Sequence, residues 1–249
     1  RVKDTLSMVD FIACEDSRVT RILLAHLGIS KPLVSLHQFN EEAKSAEIIQ
    51  RIEAGTKGAY VSDAGYPLIS DPGARLVRLL LDNDIHVSVI NGPSALLPAL
   101  VGSGLPSQHF YFHGFLDLKA KRDELDILKA KKETLIFYEA PHRIEKTIRF
   151  LYALLGDREA SLVREITKLH EEYIYGTLKE FLDLDYQVIR GEIVLVVGGN
   201  NTEVNTSEDE ALAHVETLIA SGYKTKEATK IVALLFNSNK NSLYDRYIK

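Results

Sequence analysis

The chain has 249 residues, 45% of them hydrophobic and 26% charged, with a formal charge of −5 at pH 7. That length supports one large domain or two modest ones with real cores, and no apolar run reaches the ~20 residues needed to span a bilayer. One cysteine, Cys14, excludes an intramolecular disulfide and a cysteine-rich zinc site, and no leader-like apolar stretch follows Arg1, so the chain reads as cytoplasmic with no membrane partner. The acidic balance also excludes a chain-wide attraction for nucleic acid, so any RNA contact has to come from a local basic patch.

In the first half, strand and helix patterns alternate. Residues 9–14, 33–36, 58–62 and 85–90 predict short strands. Residues 17–27, 41–54, 74–81 and 94–101 predict helices, the last with Ser94 placed as its cap. Such alternation implies βαβ units and a mostly parallel sheet. The second half is mixed. Residues 109–115, 134–138, 160–164, 172–177 and 193–197 predict strands, and 143–155 an amphipathic helix. Residues 117–133 alternate charges and read as a solvated linker helix or loop. Residues 198–207 are polar and turn-rich, as in a linker. Three short helices follow, at 208–220, 225–236 and 241–248, a size that suits a helix-turn-helix module or a small packing bundle. The fold class is therefore α/β, divided into 1–115, 116–199 and a helical module at 206–249.

Several segments that carry chemistry follow directly on predicted strands. The densest is Ser62-Asp63-Ala64-Gly65-Tyr66-Pro67-Leu68-Ile69-Ser70-Asp71-Pro72-Gly73. Ligands of open α/β sheets bind at the carboxyl ends of strands, where this loop lies. Its twelve residues exceed the usual ~2–6 of a βα connection, which favours a ligand loop over a plain turn. Gly65 permits close backbone approach, and the prolines stiffen the loop. Asn91-Gly92-Pro93-Ser94-Ala95 is a turn into a helix with small first residues, readable either as an acceptor-binding helix start or as simple capping. Phe137-Tyr138-Glu139-Ala140-Pro141-His142-Arg143 sets an acid, an imidazole and a guanidinium beside an aromatic, though helix initiation at Pro141 explains it equally well. Cys14-Glu15-Asp16-Ser17-Arg18 and the mixed-charge run from Arg164 to Glu172 complete the set.

These motifs, in this order and followed by Gly176-Thr177-Leu178, resemble the ribosomal RNA small subunit methyltransferase I family of the tetrapyrrole-methylase-like superfamily. The resemblance covers nearly the whole chain, and its most specific part is the string from Asp63 to Gly73. It implies two α/β domains with S-adenosylmethionine in the cleft between them, a homodimer, and 2′-O-methylation of a cytidine in 16S ribosomal RNA of the small subunit. The cofactor candidates are Asp63, Ala64, Gly65, Pro67, Ile69 and Ser70 from the first loop and Ser94, Ala95 and Leu96 from the second. Tyr138 and Ile166 are expected to wall the adenosine side. The candidate general bases are Glu139, His142 and Glu15, and Arg18 and Arg143 are the candidate RNA contacts. The family's opening strand, with its Pro-x-Gly-Asn-Leu turn, has no counterpart in these residues, and Arg1 to Val9 resembles the helix that comes after it. Tyr66 stands where the family usually has Thr, and Asn91 where Pro is more usual. The alternatives are a methylase of a tetrapyrrole or corrin precursor, which the acidic charge would suit, and a nucleic-acid-binding regulator that reads with its tail.

Overall fold

A computed structural model describes residues 1–201, 208–235 and 238–248. The chain divides into two compact units, Arg1–Gly199 and Asn200–Lys249. The first unit opens with α1 (Val2–Met8), β1 (Phe11–Cys14), α2 (Ser17–Leu27), β2 (Leu33–Ser35), α3 (Glu41–Glu53), β3 (Gly58–Val61), α4 (Ala74–Asp82) and α5 (Leu96–Gly102). The three strands form a parallel sheet in the order β2-β1-β3, with Ile12 in register with Leu33 and Ala59. β1 is apolar throughout because it is covered on both faces. Phe11 and Ala13 pack with Leu36, Leu76 and Leu80, while Ile12 packs with Leu6 and Leu24 on the other side.

Local signals set the helix ends. Asp16 accepts the Arg18 backbone N–H at 2.8 Å to start α2, and Gly28, at φ +70°, ends it. The N-terminus of α4 is satisfied from outside: a Glu41 carboxylate oxygen accepts the backbone N–H groups of Gly73, Arg75 and Leu76.

Two sequence expectations need correction here. Residues 85–90 have the expected alternation, and Ile85 and Val87 pack on the Leu76–Leu80 cluster, yet they form no strand. A strand exists only against a partner's ladder, and among the described residues β3 pairs with β1 alone. α5 starts at Leu96, with Ala95 at the cap and no side-chain cap bond, so Ser94 does not cap it.

The second sheet contains β4 (Phe110–Phe115), β5 (Thr134–Glu139), β6 (Glu159–Arg164), β7 (Glu172–Thr177) and β8 (Ile193–Val197) in the order β4-β5-β8-β6-β7. β4 and β5 are parallel and the remaining pairs antiparallel. One face packs Leu135, Phe137 and Leu195 against Ile144, Ile148 and Leu151 of α7 (Ile144–Leu155). The other packs Ile136, Val163 and Val196 against Leu96, Ala99 and Leu100 of α5. Residues 117–133 are not simply a solvated connection: α6 (Arg122–Ala130) forms there and buries Leu128 in the α7 core. One apolar side chain facing inward suffices to dock a helix whose other faces are charged.

The second unit packs α8 (Glu208–Ala220), α9 (Thr225–Leu235) and α10 (Lys240–Ile248) around Ala211, Val215, Ala228, Val232 and Leu243. Most of the predicted linker, residues 202–207, and the end of the predicted second helix, Phe236, lie outside the described residues.

Candidate active site

The carboxyl ends of β1, β2 and β3 carry three loops joined to one another. The Asp16 backbone N–H donates to Asp63 at 3.2 Å, and the Ser35 hydroxyl donates to the Glu15 carbonyl at 3.2 Å. In the second sheet the carboxyl ends of β5 and β6 meet the amino end of β8, because Ile193 is in register with both Glu139 and Arg164. Between these edges lies a cavity of about 480 Å³, in the range of small-molecule sites.

Ala64, Gly65, Ile69, Ser70, Ala95, Tyr138 and Glu139 all line it, as does Tyr66. The loop from Gly65 to Ser70 is held in unusual backbone geometry, with Leu68 at φ +69° and Ser70 at φ +63°. Non-glycine residues in that region cost on the order of 1–3 kcal/mol each and cluster at functional sites. Tyr138 forms an aromatic wall, its ring edge-on to Phe112 at 4.9 Å and to Phe115 at 5.9 Å. Burial pushes the Tyr138 phenol up, while hydrogen bonds with the Leu96 backbone and the Ser94 side chain pull it back. Ser94 and Leu96 thus stand behind the wall, and Ile166 packs in the same cluster. Asp63 and Pro67 lie on the loop but outside the wall.

The three candidate bases have different surroundings. Glu139 is in the wall and 3% exposed, but its carboxylate is already used. It accepts the Ala140 backbone N–H at 2.8 Å and the Thr147 hydroxyl at 2.5 Å, and Arg143 Nε lies 3.4 Å away. A carboxylate so engaged anchors the start of α7 and has little capacity left for a substrate proton. His142 is exposed and outside the wall. Glu15 also lies outside the wall; burial first, and then the charges of Asp63 and Asp71, raise its carboxyl, with His37 opposing. The two arginines expected to meet RNA are also committed within the chain. Arg18 forms an ion pair with Asp16, whose carboxyl its hydrogen bonds hold down to about 2, and Arg143 donates to the Leu116 carbonyl at 2.6 Å.

The wall also takes in Asp71 of the ligand loop and Glu165 and Lys168 of the mixed-charge run, together with Phe115 and residues 191–194, which the sequence did not reveal. Lys168 bridges Glu165 at 2.9 Å and Glu192 at 3.1 Å. Glu165 lies over Gly191, whose φ is +82°; a Cβ there would collide with the Glu165 carboxylate. Asp71 is different, since no cation pairs with it among the described residues. Burial raises its carboxyl, a hydrogen bond with Ser62 lowers it, and the Asp63 charge raises it again. A largely apolar cavity with an aromatic wall and one half-buried carboxylate lacking a counter-charge suits a small cationic ligand with an aromatic ring, which describes S-adenosylmethionine.

Comparisons with known proteins agree with this chemistry. Residues 1–182 match the family described as Tetrapyrrole (Corrin/Porphyrin) Methylases. The ribosomal RNA small subunit methyltransferase I of Bacillus subtilis is 44% identical, the match covering 99% of this chain and 88% of that protein. The protein of the same name from Haemophilus influenzae is 41% identical over 98% of this chain and 89% of its own length. Among solved structures the methyltransferase CobJ has the same fold, with a TM-score of 0.58 at 17% identity, over 80% of this chain and 87% of that one. The cobalt precorrin-4 methyltransferase CbiF, also at 0.58 and 17%, covers 79% and 86%. The chain belongs to the ribosomal RNA small subunit methyltransferase I family, S-adenosylmethionine-dependent methyltransferases of the tetrapyrrole methylase fold.

Proposed function

We propose that this chain methylates the 2′-hydroxyl of a cytidine ribose in 16S ribosomal RNA of the small subunit. The observation that carries this reading is the 44% identity, over 99% of the chain, to a protein named ribosomal RNA small subunit methyltransferase I. Bound in the cavity, S-adenosylmethionine supplies an electrophilic methyl group on a sulfonium.

The residues of the chain divide the remaining work. The strained loop from Ala64 to Ser70, with Ala95, holds the cofactor, and Asp71 supplies the negative charge that a sulfonium requires. Tyr138, braced by Phe112 and Phe115, walls the aromatic end and excludes water. Methyl transfer needs a hydroxyl oxygen aligned with the methyl carbon and sulfur, so rigid walls contribute more than covalent chemistry does. Glu15 is the proton acceptor we favour: it precedes Asp16, whose backbone N–H donates to Asp63 of the cofactor loop, whereas Glu139 is occupied and His142 faces solvent. Glu139, with Arg143, fixes the cavity wall. Arg18 contacts RNA only by giving up Asp16.

A homodimer is part of the same reading. β4 is an edge strand of its sheet and exposes Phe110 and Phe115, and aromatic side chains are enriched at interfaces. Among the described residues no helix is long and apolar enough to cross a membrane, in keeping with an RNA-modifying enzyme of the cytoplasm. The test is transfer of labelled methyl from S-adenosylmethionine to purified small ribosomal subunits, with sedimentation at micromolar concentration to establish the dimer. Absence of 2′-O-methylcytidine from the product RNA would refute the activity.

A further inference from the structure

The second compact unit has a charge distribution that the chain as a whole conceals. From Ser221 to the end of the sequence there are six basic residues and two acidic ones, Glu227 and Asp245, in a chain whose total is −5. α8 and α9 are joined by a four-residue turn at 221–224 with Gly222 at φ +96°. The turn is closed by hydrogen bonds from Gly222 N–H to the Ile219 carbonyl at 2.9 Å and from Tyr223 N–H to the Leu218 carbonyl at 3.1 Å. Ala228 and Val232 of α9 are buried against α8 and α10. That fixes the exposed side of the helix, where Lys226 and Lys230, four residues apart, stand on one face. Tyr223, Glu227, Lys230 and Ile231 line a shallow depression of about 270 Å³ at this face, and Tyr223 is 47% exposed.

Lys224, Lys226 and Lys230 form no ion pair among the described residues. The arginines near the cavity behave in the opposite way: Arg18, Arg143 and Arg164 each pair with a carboxylate. Three unpaired lysines thus stand on the turn and first half of α9, beside an exposed aromatic ring and at the positive end of a helix. Lysines hold phosphates as point charges, and aromatic faces stack on unpaired bases without regard to sequence.

We infer that the turn 221–224 and the first half of α9 are an RNA-docking surface that grips the phosphate backbone of the substrate. This rests on the proposed activity toward ribosomal RNA. It supplies a local basic patch through which an acidic chain engages RNA.

The experiment uses the full chain carrying Lys224→Gln, Lys226→Gln and Lys230→Gln together, with a second variant carrying Arg at the same three positions. KM for purified small subunits and kcat are measured across a salt series. The Gln variant is expected to raise KM about tenfold or more, leave kcat and the affinity for S-adenosylmethionine unchanged, and lose about two units of salt slope, as for three phosphate contacts. The Arg variant should restore both KM and the salt slope. Because these lysines form no ion pair among the described residues, thermal melting should be unaltered in both. An unchanged KM and salt slope in the Gln variant, while the unsubstituted enzyme is active on subunits, overturns the docking surface and leaves the activity standing. A loss of affinity for poly-glutamate with none for RNA overturns it in favour of an acidic protein partner. No methyl transfer by the unsubstituted enzyme overturns the activity and this inference with it.

Discussion

The phenol of Tyr66 donates a hydrogen bond to the side-chain oxygen of Asn91, 3.3 Å away. These are the two positions at which the chain departs from the family's usual Thr and Pro, and they prove to be partners. The bond ties the loop after β3 to the turn before α5, so the two substitutions act as a unit. Tyr66→Phe and Asn91→Ala are each expected to weaken S-adenosylmethionine binding by several-fold, and the double variant by no more than either one. A net hydrogen bond of about 0.5–1.5 kcal/mol sets that scale. Titration calorimetry on the four proteins of this double-mutant cycle provides the check; additive losses would show that the two residues act independently.

Gly114 holds the same loop from the other sheet. A Cβ on Gly114 would lie 2.9 Å from the Ser70 hydroxyl oxygen, and its φ of +77° already disfavours any other residue. Gly114→Ala is therefore expected to lower stability by about 1–2 kcal/mol through backbone strain. It should also raise the Kd for S-adenosylmethionine further by displacing Ser70. Adding Ser70→Gly removes the colliding oxygen and should recover binding without recovering stability. Denaturant melts and titrations together separate the two effects.

Gly191→Ala attacks the clasp on the opposite wall. The new methyl would collide with Glu165, which is bonded to Lys168 and to the Glu192 backbone N–H at 3.0 Å. The expected result is a weakened cofactor site and a folded protein less stable by about 1–3 kcal/mol, the usual range for a forced local rearrangement. A crystal structure of the variant with Glu165 and Lys168 unmoved would contradict this.

Asp71 should show a conflict between stability and binding. Burial raises its carboxyl above the unfolded value, so the folded chain holds this proton more tightly than the unfolded chain does. The contribution to stability is complete below the unfolded pKa and is lost as pH rises through the folded one. Asp71→Asn is therefore expected to raise the melting temperature at neutral pH, remove part of its decline with pH, and weaken S-adenosylmethionine about tenfold. Melting curves from acid to neutral pH, with binding measured in parallel, test both halves. Unaltered binding would remove Asp71 from the site.

Thr147 tests the structural role of Glu139. Thr147→Val leaves one oxygen of a buried carboxylate without its donor, which costs about 1–3 kcal/mol. If Glu139 serves as an anchor, Glu139→Gln should cost stability more than kcat, and the pH profile of kcat should persist. In Glu15→Gln the acid limb of that profile should disappear.

Much of this was legible in the sequence because the signals were local. α2 was marked by the apolar Ile22, Leu23, Leu24 and Leu27 and by the acidic Glu15 and Asp16 at its start. The loop from Ser62 to Gly73 was marked by glycines and prolines in a length no ordinary connection needs. What the sequence hid was tertiary. Gly191 to Val194 reach the cavity because β8 runs antiparallel between β5 and β6, an arrangement no local pattern encodes. Glu139 looked like a base because its partner Thr147 lies eight residues on, inside a helix. Residues 85–90 had a strand's alternation but lack a strand beside them. Counted over the whole tail, acidic residues near its start cancel the cluster of lysines on α9.

The cavity between the two sheets is proposed to serve methyl transfer to ribosomal RNA. The most direct measurement supplies labelled S-adenosylmethionine with either small ribosomal subunits or uroporphyrinogen, followed by nuclease digestion and identification of the labelled nucleoside. The expected result is label in 2′-O-methylcytidine from the subunits and none in the tetrapyrrole. Label in uroporphyrinogen with unlabelled RNA would contradict it.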